Sequence, residues 1–227
     1  MRAAFLLHRR PYRDTSLLLE CLVAGEGRLP LIARGAAKGR LKGILQPFQP
    51  LQLQWRGRGE VMTLTHAEAA EKPLVLQQQR LFCGLYLNEL LMRLLPRGDA
   101  CDHLLQAYWK TLLQLEHSDT PDWELRCFEV QLLQETGYGV ALDVTSDGMP
   151  VNSHNKYSYL AGQGISGESS SADVAVHGET LLALHRGEWQ HARQRHEAKL
   201  LMRRLLDHAL DYKPLKSREL FAGKTND

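Results

Sequence analysis

The run Gly35-Ala36-Ala37-Lys38-Gly39-Arg40-Leu41-Lys42-Gly43, preceded by Arg34, sets four cations among three glycines. Glycine lets backbone N–H groups come close to a phosphate, and Lys and Arg displace the counterions condensed on a polyanion. The chemistry on offer is charge neutralisation rather than bond-making. A solvated hairpin loop can have the same composition, so the surroundings decide. Arg9, Arg10, Arg13, Arg56 and Arg58 fall on what read as flanking turns. Residues 1–58 hold eleven Lys or Arg against three acids, a net +8. The whole chain is only +2, which leaves −6 for residues 59–227. A split of that size points to one part that meets a polyanion and another built for something else.

No catalytic set stands beside this basic segment. The ten histidines are scattered, with neither H-E-x-x-H nor H-x-H spacing. His191, His196 and Glu197 read as a solvated helix face. Gly162-Gln163-Gly164 opens no phosphate loop. Ser166 and the run Ser169-Ser170-Ser171 have no nucleophile-elbow context, and Asp143 and Asp147 near Gly148 do not spell a calcium loop. Cys21, Cys83, Cys101 and Cys127 are far apart in apolar segments, as small core residues would be, whereas metal sites want close ligand pairs. Neither metal nor cofactor is expected.

Base stacking normally adds about 1–3 kcal/mol per base in a single-strand binder. The basic segment has few aromatics for it: Phe5, Tyr12, Phe48 and Trp55. Phe5 reads as core, which leaves Tyr12 and Trp55 as stacking candidates. The balance favours backbone contact with little sequence preference.

The elements that must position these residues change period along the chain. Short apolar runs at 3–8, 15–24 and 28–33, with a Gly25-Glu26-Gly27 turn, read as strands, the last two a hairpin. Leu51-Gln52-Leu53-Gln54-Trp55 alternates with period two, and 60–66 returns after Gly57-Arg58-Gly59. Five short strands in about seventy residues, with no helix before Pro73, fit a small barrel of the OB type. An SH3-like barrel fits the pattern nearly as well. From residue 81 leucines recur at helical spacing up to Pro96, a second stripe spans 104–113, and a third helix runs over 123–136. Residues 140–176 look irregular but keep apolar residues to bury. Two helices, near 180–184 and over 191–210, lead to a basic tail at 213–218.

At 227 residues the chain can bury a proper core, and 44% hydrophobic with 24% charged residues is ordinary for a soluble globular protein. No apolar run approaches the roughly 20 residues that span a bilayer. The first residues do not form a signal peptide, so a cytoplasmic location is expected.

On the third helix Arg126, Val130 and Leu133 fall at i, i+4 and i+7, on one face. A cation beside an apolar stripe suits an acidic, apolar-ended peptide. On the residues alone an ordinary buried stripe with a snorkelling arginine is the preferred reading.

A series of local motifs runs along the chain: His8-Arg9-Arg10-Pro11-Tyr12-Arg13-Asp14-Thr15, Ala33-Arg34-Gly35-Ala36, Leu45-Gln46-Pro47-Phe48 and Gly57-Arg58-Gly59-Glu60-Val61. It continues in Gly84-Leu85-Tyr86-Leu87-Asn88-Glu89-Leu90-Leu91, Arg126-Cys127-Phe128-Glu129, Gly137-Tyr138-Gly139-Val140 and Lys213-Pro214-Leu215-Lys216-Ser217-Arg218-Glu219-Leu220-Phe221. Their order and spacing are more specific than any one motif, and in them the chain resembles the bacterial RecO family of recombination mediators over nearly its full length. The resemblance implies an OB-fold followed by a helical domain. It implies binding of single- and double-stranded DNA, strand annealing, and work with RecR to load RecA onto strands coated by single-strand binding protein. It implies no nucleotide hydrolysis. It also implies contact of the helical domain with the acidic C-terminal tail of single-strand binding protein, and Arg126, Val130 and Leu133 are the candidate face. Some members carry a zinc-binding cysteine cluster near residues 144–151, where this chain has Thr145-Ser146-Asp147-Gly148.

The expectation is thus an α+β protein. An OB-fold DNA-binding domain takes residues 1–78. A mostly helical domain takes 79–227, with a zinc-free sub-domain at about 140–176. The DNA-binding residues would be Arg9, Arg10, Arg13, Arg34, Lys38, Arg40, Lys42, Arg56 and Arg58. The work would be non-catalytic DNA repair in the cytoplasm, at the nucleoid and away from any membrane. The rival reading is a nucleic-acid-modifying enzyme that uses the barrel as an anchor, and a third is an RNA-binding module.

Overall fold

The computed structural model describes residues 1–167, 174–189 and 191–222. Two compact units divide the chain: residues 1–118 with 215–227, and residues 119–214. The serine run at 169–171 lies outside the described residues.

In the first unit, strands β1 (Arg2–Tyr12), β2 (Ser16–Val23), β3 (Gly27–Ala33), β4 (Pro50–Arg56) and β5 (Met62–Ala69) close a barrel in the order β1-β2-β3-β5-β4. β3 and β5 are parallel, and β1 closes on β4 with Arg2 opposite Leu53. This Greek-key order is that of an OB barrel, which settles the choice against an SH3-like one. Alternation fills the interior with Leu6, Leu19, Leu31, Leu51 and Leu53, each 1% exposed or less. The β2–β3 turn needs its glycine. Gly27 has φ 69°, and a Cβ there would meet the Asp99 carbonyl at 1.7 Å.

Two expectations for this segment are corrected. β1 runs through Arg9, Arg10 and Pro11 to Tyr12 and β4 ends on Arg56, so those three arginines lie on strands and not on turns. The glycine-rich loop is not all loop, since its second half turns into α1 (Arg40–Ile44). Three glycines in ten residues hid that helix, because glycine disfavours helix by about 1 kcal/mol.

One irregularity sets the outward pattern. β1 pairs Leu6 with Cys21 and then His8 with Glu20, so Leu7 is an extra residue bulged out of the ladder. Beside it pack α2 (Gln78–Leu94) and α3 (Asp102–His117). The Asn88 amide of α2 donates to the Leu7 carbonyl at 3.0 Å and accepts from the Tyr108 hydroxyl at 2.6 Å. Phe5 is buried as expected, but on the outside of the barrel, where its ring centroid lies 5.2 Å from Tyr108 and 5.3 Å from Trp109. Phe48 rests on Gly84, where a Cβ would come within 2.8 Å of its ring.

The chain returns to this unit near its end through a 3-10 turn, Lys216–Arg218. The Glu89 carboxylate of α2 accepts from the Lys216 and Ser217 backbone N–H groups at 3.0 and 2.7 Å and from the Ser217 hydroxyl at 2.5 Å. Burial pushes the Glu89 carboxyl up, but these bonds and Arg93 outweigh it and leave the pKa below the usual range.

The second unit packs α4 (Pro121–Glu135), α5 (Gly178–Arg186) and α6 (Ala192–Ala209) with a three-stranded sheet of order β7-β6-β8. The strands are β6 (Lys156–Leu160), β7 (Gly164–Ser166) and β8 (Val174–His177). The stretch read as irregular is therefore a small sheet, with Tyr157, Tyr159, Ile165 and Val176 as its buried face.

Replacing Asn88 by the near-isosteric Leu should strand the Leu7 carbonyl in the interior at a cost of about 1–3 kcal/mol. Denaturant unfolding of the two proteins measures it, and a difference within about 0.5 kcal/mol would show that the bulge does not need this side chain.

Candidate nucleic-acid interface

The bulge at Leu7 decides which arginine faces out. After it, Arg9 lies opposite Leu19, a core residue, and Arg10 lies opposite Leu18, which is half-exposed. Arg9 accordingly turns inward. Its guanidinium donates to the Leu45 and Lys42 carbonyls at 2.6 and 3.2 Å and to Gln46 Oε1 at 3.0 Å. Arg9 thereby ties down the C-terminal end of α1, whose last carbonyls have no partner within the helix.

Other cations of the basic segment are also engaged. Arg2 reaches Glu26 at 3.4 Å and the Ala24 carbonyl at 3.2 Å. Arg28 stands 3.5 Å from the buried Glu20, which Arg97 also contacts. Burial lowers the Arg28 pKa, with Glu20 opposing and Arg97 adding to the fall. Arg10, Arg13, Arg34, Lys38, Arg40, Lys42, Arg56 and Arg58 are exposed, and none forms an ion pair among the described residues. Eight of the nine residues picked from the sequence are thus open to an incoming ligand, and Arg9 is committed to the fold.

Register places the eight. Directly paired residues share a face of the sheet, so one outward row reads Arg10, Leu18, Ile32, Thr63, Arg56 across β1, β2, β3, β5 and β4. Four strand spacings of about 4.8 Å make this row about 19 Å long over the curved surface. Arg10 and Arg56 end it, and the middle is apolar or hydroxylic. At the β1–β2 end, Ala37 N–H donates to the Thr15 carbonyl at 2.9 Å and ties the β3–α1 connection to the hairpin. Lys38, Arg40 and Lys42 follow on that connection and on α1. Arg58 sits in the β4–β5 turn. Such a surface can neutralise several phosphates along one strand.

Of the two stacking candidates, Trp55 is half-buried and packs on the barrel core. Tyr12 is half-buried, and its ring centroid lies 5.2 Å from the Arg13 guanidinium carbon.

In the second unit Arg126 is 7% exposed and pairs with Glu129 of its own helix at 2.6 Å, with Glu129 fully buried. Leu133 is 1% exposed and Val130 half-exposed. The signal was present in the sequence as an i, i+3 Arg–Glu pair. Glu197, read as solvated, instead binds His177 Nδ1 at 2.6 Å, His177 N–H at 3.1 Å and the Thr180 hydroxyl at 2.6 Å. That cluster caps the start of α5. Burial raises the Glu197 carboxyl, and the bonds from Thr180 and His177 outweigh it and lower its pKa. Thr145-Ser146-Asp147-Gly148 forms a turn in which the Thr145 hydroxyl contacts Asp147, donates to the Met149 carbonyl at 3.0 Å and accepts from the Met149 N–H at 3.1 Å. Among the described residues no group of three or more His, Cys, Asp or Glu is arranged to hold a metal ion, and no helix is long and apolar enough to cross a membrane.

Residues 1–73 match the family described as Recombination protein O N terminal, and residues 77–219 match Recombination protein O C terminal. The DNA repair protein RecO of Methylococcus capsulatus is 48% identical over 225 residues, 98% of this chain and 93% of that protein. That of Dechloromonas aromatica is 43% identical over 225 residues, 96% and 93% of the two chains. That of Pseudomonas aeruginosa is 40% identical over 223 residues, 98% and 95%.

Removing one partner of a buried ion pair typically costs about 3–5 kcal/mol, because the other charge stays behind. Arg126→Ala should therefore lower the thermal unfolding midpoint, and Arg126→Ala with Glu129→Leu should recover most of the loss. A single variant as stable as the parent, with weakened binding of an acidic tail peptide, would instead make Arg126 a docking residue.

Proposed function

This chain belongs to the RecO family of recombination proteins, and from that membership we propose that it is a non-catalytic DNA repair protein whose barrel holds single- and double-stranded DNA by the phosphate backbone. The observation that carries the reading is the sorting of the barrel's cations. The structural ones are paired with carboxylates or carbonyls, and the eight exposed ones border one outward row and the loops around it. A protein that needed those charges for folding would have paired them. A backbone binder needs them bare, since each phosphate contact gains from the release of a condensed counterion. The shortage of aromatics on the row fits low sequence preference.

Annealing follows from the same surface in this proposal. Neutralising phosphates lowers the repulsion between two complementary strands and lets pairing begin. The further steps, work with RecR, loading of RecA and contact with the acidic tail of single-strand binding protein, rest on family membership. The cell compartment we assign is the cytoplasm, at the nucleoid. For a tail docking at Arg126, Val130 and Leu133, the terminal carboxylate has to replace Glu129 on the guanidinium. A histidine, a carboxylate and a hydroxyl do meet at His177, Glu197 and Thr180, but they are engaged in capping α5, which supports a non-catalytic role.

Replacing Arg34, Lys38, Arg40 and Lys42 together by Ala should weaken DNA binding for all sequences alike. The slope of log K against log salt should flatten by up to about three for single strands and about four for duplex, if each cation meets one phosphate. Titrations at several salt concentrations measure this. An unchanged slope would contradict the assignment.

A further inference from the structure

A cleft of about 390 Å³ opens at the β1–β2 turn, lined by Tyr12, Arg13, Thr15, Ser16, Ile32 and Arg34. We propose that it is a pocket for one unpaired nucleotide of the bound strand, a proposal that rests on the DNA-binding reading and adds a base-contacting subsite to it. The size falls in the range of about 300–1,000 Å³ typical of small-ligand pockets. The lining combines what a nucleotide requires. Tyr12 and Arg13 supply a stacking surface, for a base stacks on an aromatic ring or on a guanidinium plane. Ile32 supplies an apolar contact. Ser16 and Thr15 supply hydroxyls that can donate or accept at a base edge. Arg34 supplies a charge for the phosphate.

Two independent features argue that the cleft is built rather than incidental. Arg13 has φ 53°, a left-handed conformation uncommon for a residue with a side chain. In that conformation its guanidinium carbon lies 5.2 Å from the Tyr12 ring centroid while the side chain stays exposed, so ring and guanidinium stand together at the cleft. The Ala37 N–H to Thr15 carbonyl bond holds the connection that carries Arg34 beside the hairpin. The cleft also lies on the path of the strand. Ile32 belongs to the outward row that runs from Arg10 to Arg56, so a backbone following that row passes its mouth. A paired base is held in its duplex, so the pocket accepts a nucleotide only from a single strand or an unpaired junction. It would thereby favour unpaired DNA on a barrel whose cations can hold either form.

The test compares an oligothymidylate with a deoxyribose-phosphate oligomer of equal length that has no bases, on the full-length protein. The wild type should bind the base-bearing strand roughly tenfold more tightly, as expected for stacking of one base. Tyr12→Leu and Ile32→Ser should each bring the two affinities close together and leave the salt slope of the baseless strand as it was. Tyr12→Phe should retain the preference. Equal affinity of the wild type for the two oligomers would overturn the pocket, as would a Tyr12→Leu protein with its preference intact. Loss of the salt slope on the baseless strand is a different outcome and speaks to the backbone-binding reading alone. The wild-type comparison stands even if one variant fails to fold.

Discussion

The Leu7 carbonyl, left unpaired by the bulge in β1, is taken by the Asn88 amide. A strand alternates faces with every residue, so one extra residue reverses everything beyond it. Without the bulge Arg10 would lie opposite Leu17 and point into the barrel, and Arg9 would point out. With it, Arg9 reaches inward to the carbonyls that end α1, and Arg10 joins the row that ends at Arg56. A side chain on α2 is thus part of the reason the barrel wears its charges where it does. A buried polar group of this kind must be satisfied, because an orphaned carbonyl costs about as much as a sizeable share of net stability.

The same logic separates two kinds of charge in the chain. Glu20 with Arg28 and Arg97, Glu89 with the Lys216–Arg218 turn, and Arg126 with Glu129 are charges closed on partners. They join segments far apart in sequence or fix a helix face. The eight bare cations of the barrel contribute little to folding and repel one another. On the DNA-binding reading proposed above, they await a polyanion outside the fold.

Much of this was legible in the residues. Leu51-Gln52-Leu53-Gln54 reads as a strand because its alternation is the alternation of the barrel wall, and the helical leucines after residue 81 read as α2 for the same reason at a different period. The +8 charge of residues 1–58 pointed to the region where the barrel's exposed, unpaired cations stand. What did not show was the assignment of single side chains. Arg9 and Arg10 are chemically alike and adjacent, and only the bulge and its partner 81 positions away distinguish them. The helix α1 was hidden by its glycines, whose cost the capping of its C-terminal end by Arg9 offsets. The short strands β6–β8 were hidden by Gly, Ser and Asn turns, since three to five residues are too few for a period to emerge. Arg126 read either as a docking cation or as a snorkelling arginine on a buried stripe; its i, i+3 partner Glu129 stood in the sequence, and the burial that closes the pair did not show.

A strand bound as proposed lies on the outward cations of the barrel, and the basic side chains of the second unit take no part in holding it. Lysine acylation with and without a saturating oligonucleotide reads this most directly, because the reagent reports each amine separately. Lys38 and Lys42, exposed and free of ion pairs, should lose reactivity when DNA binds, while Lys156 and Lys199 of the second unit keep theirs. Protection of Lys156 or Lys199 with Lys38 and Lys42 left reactive would contradict the account.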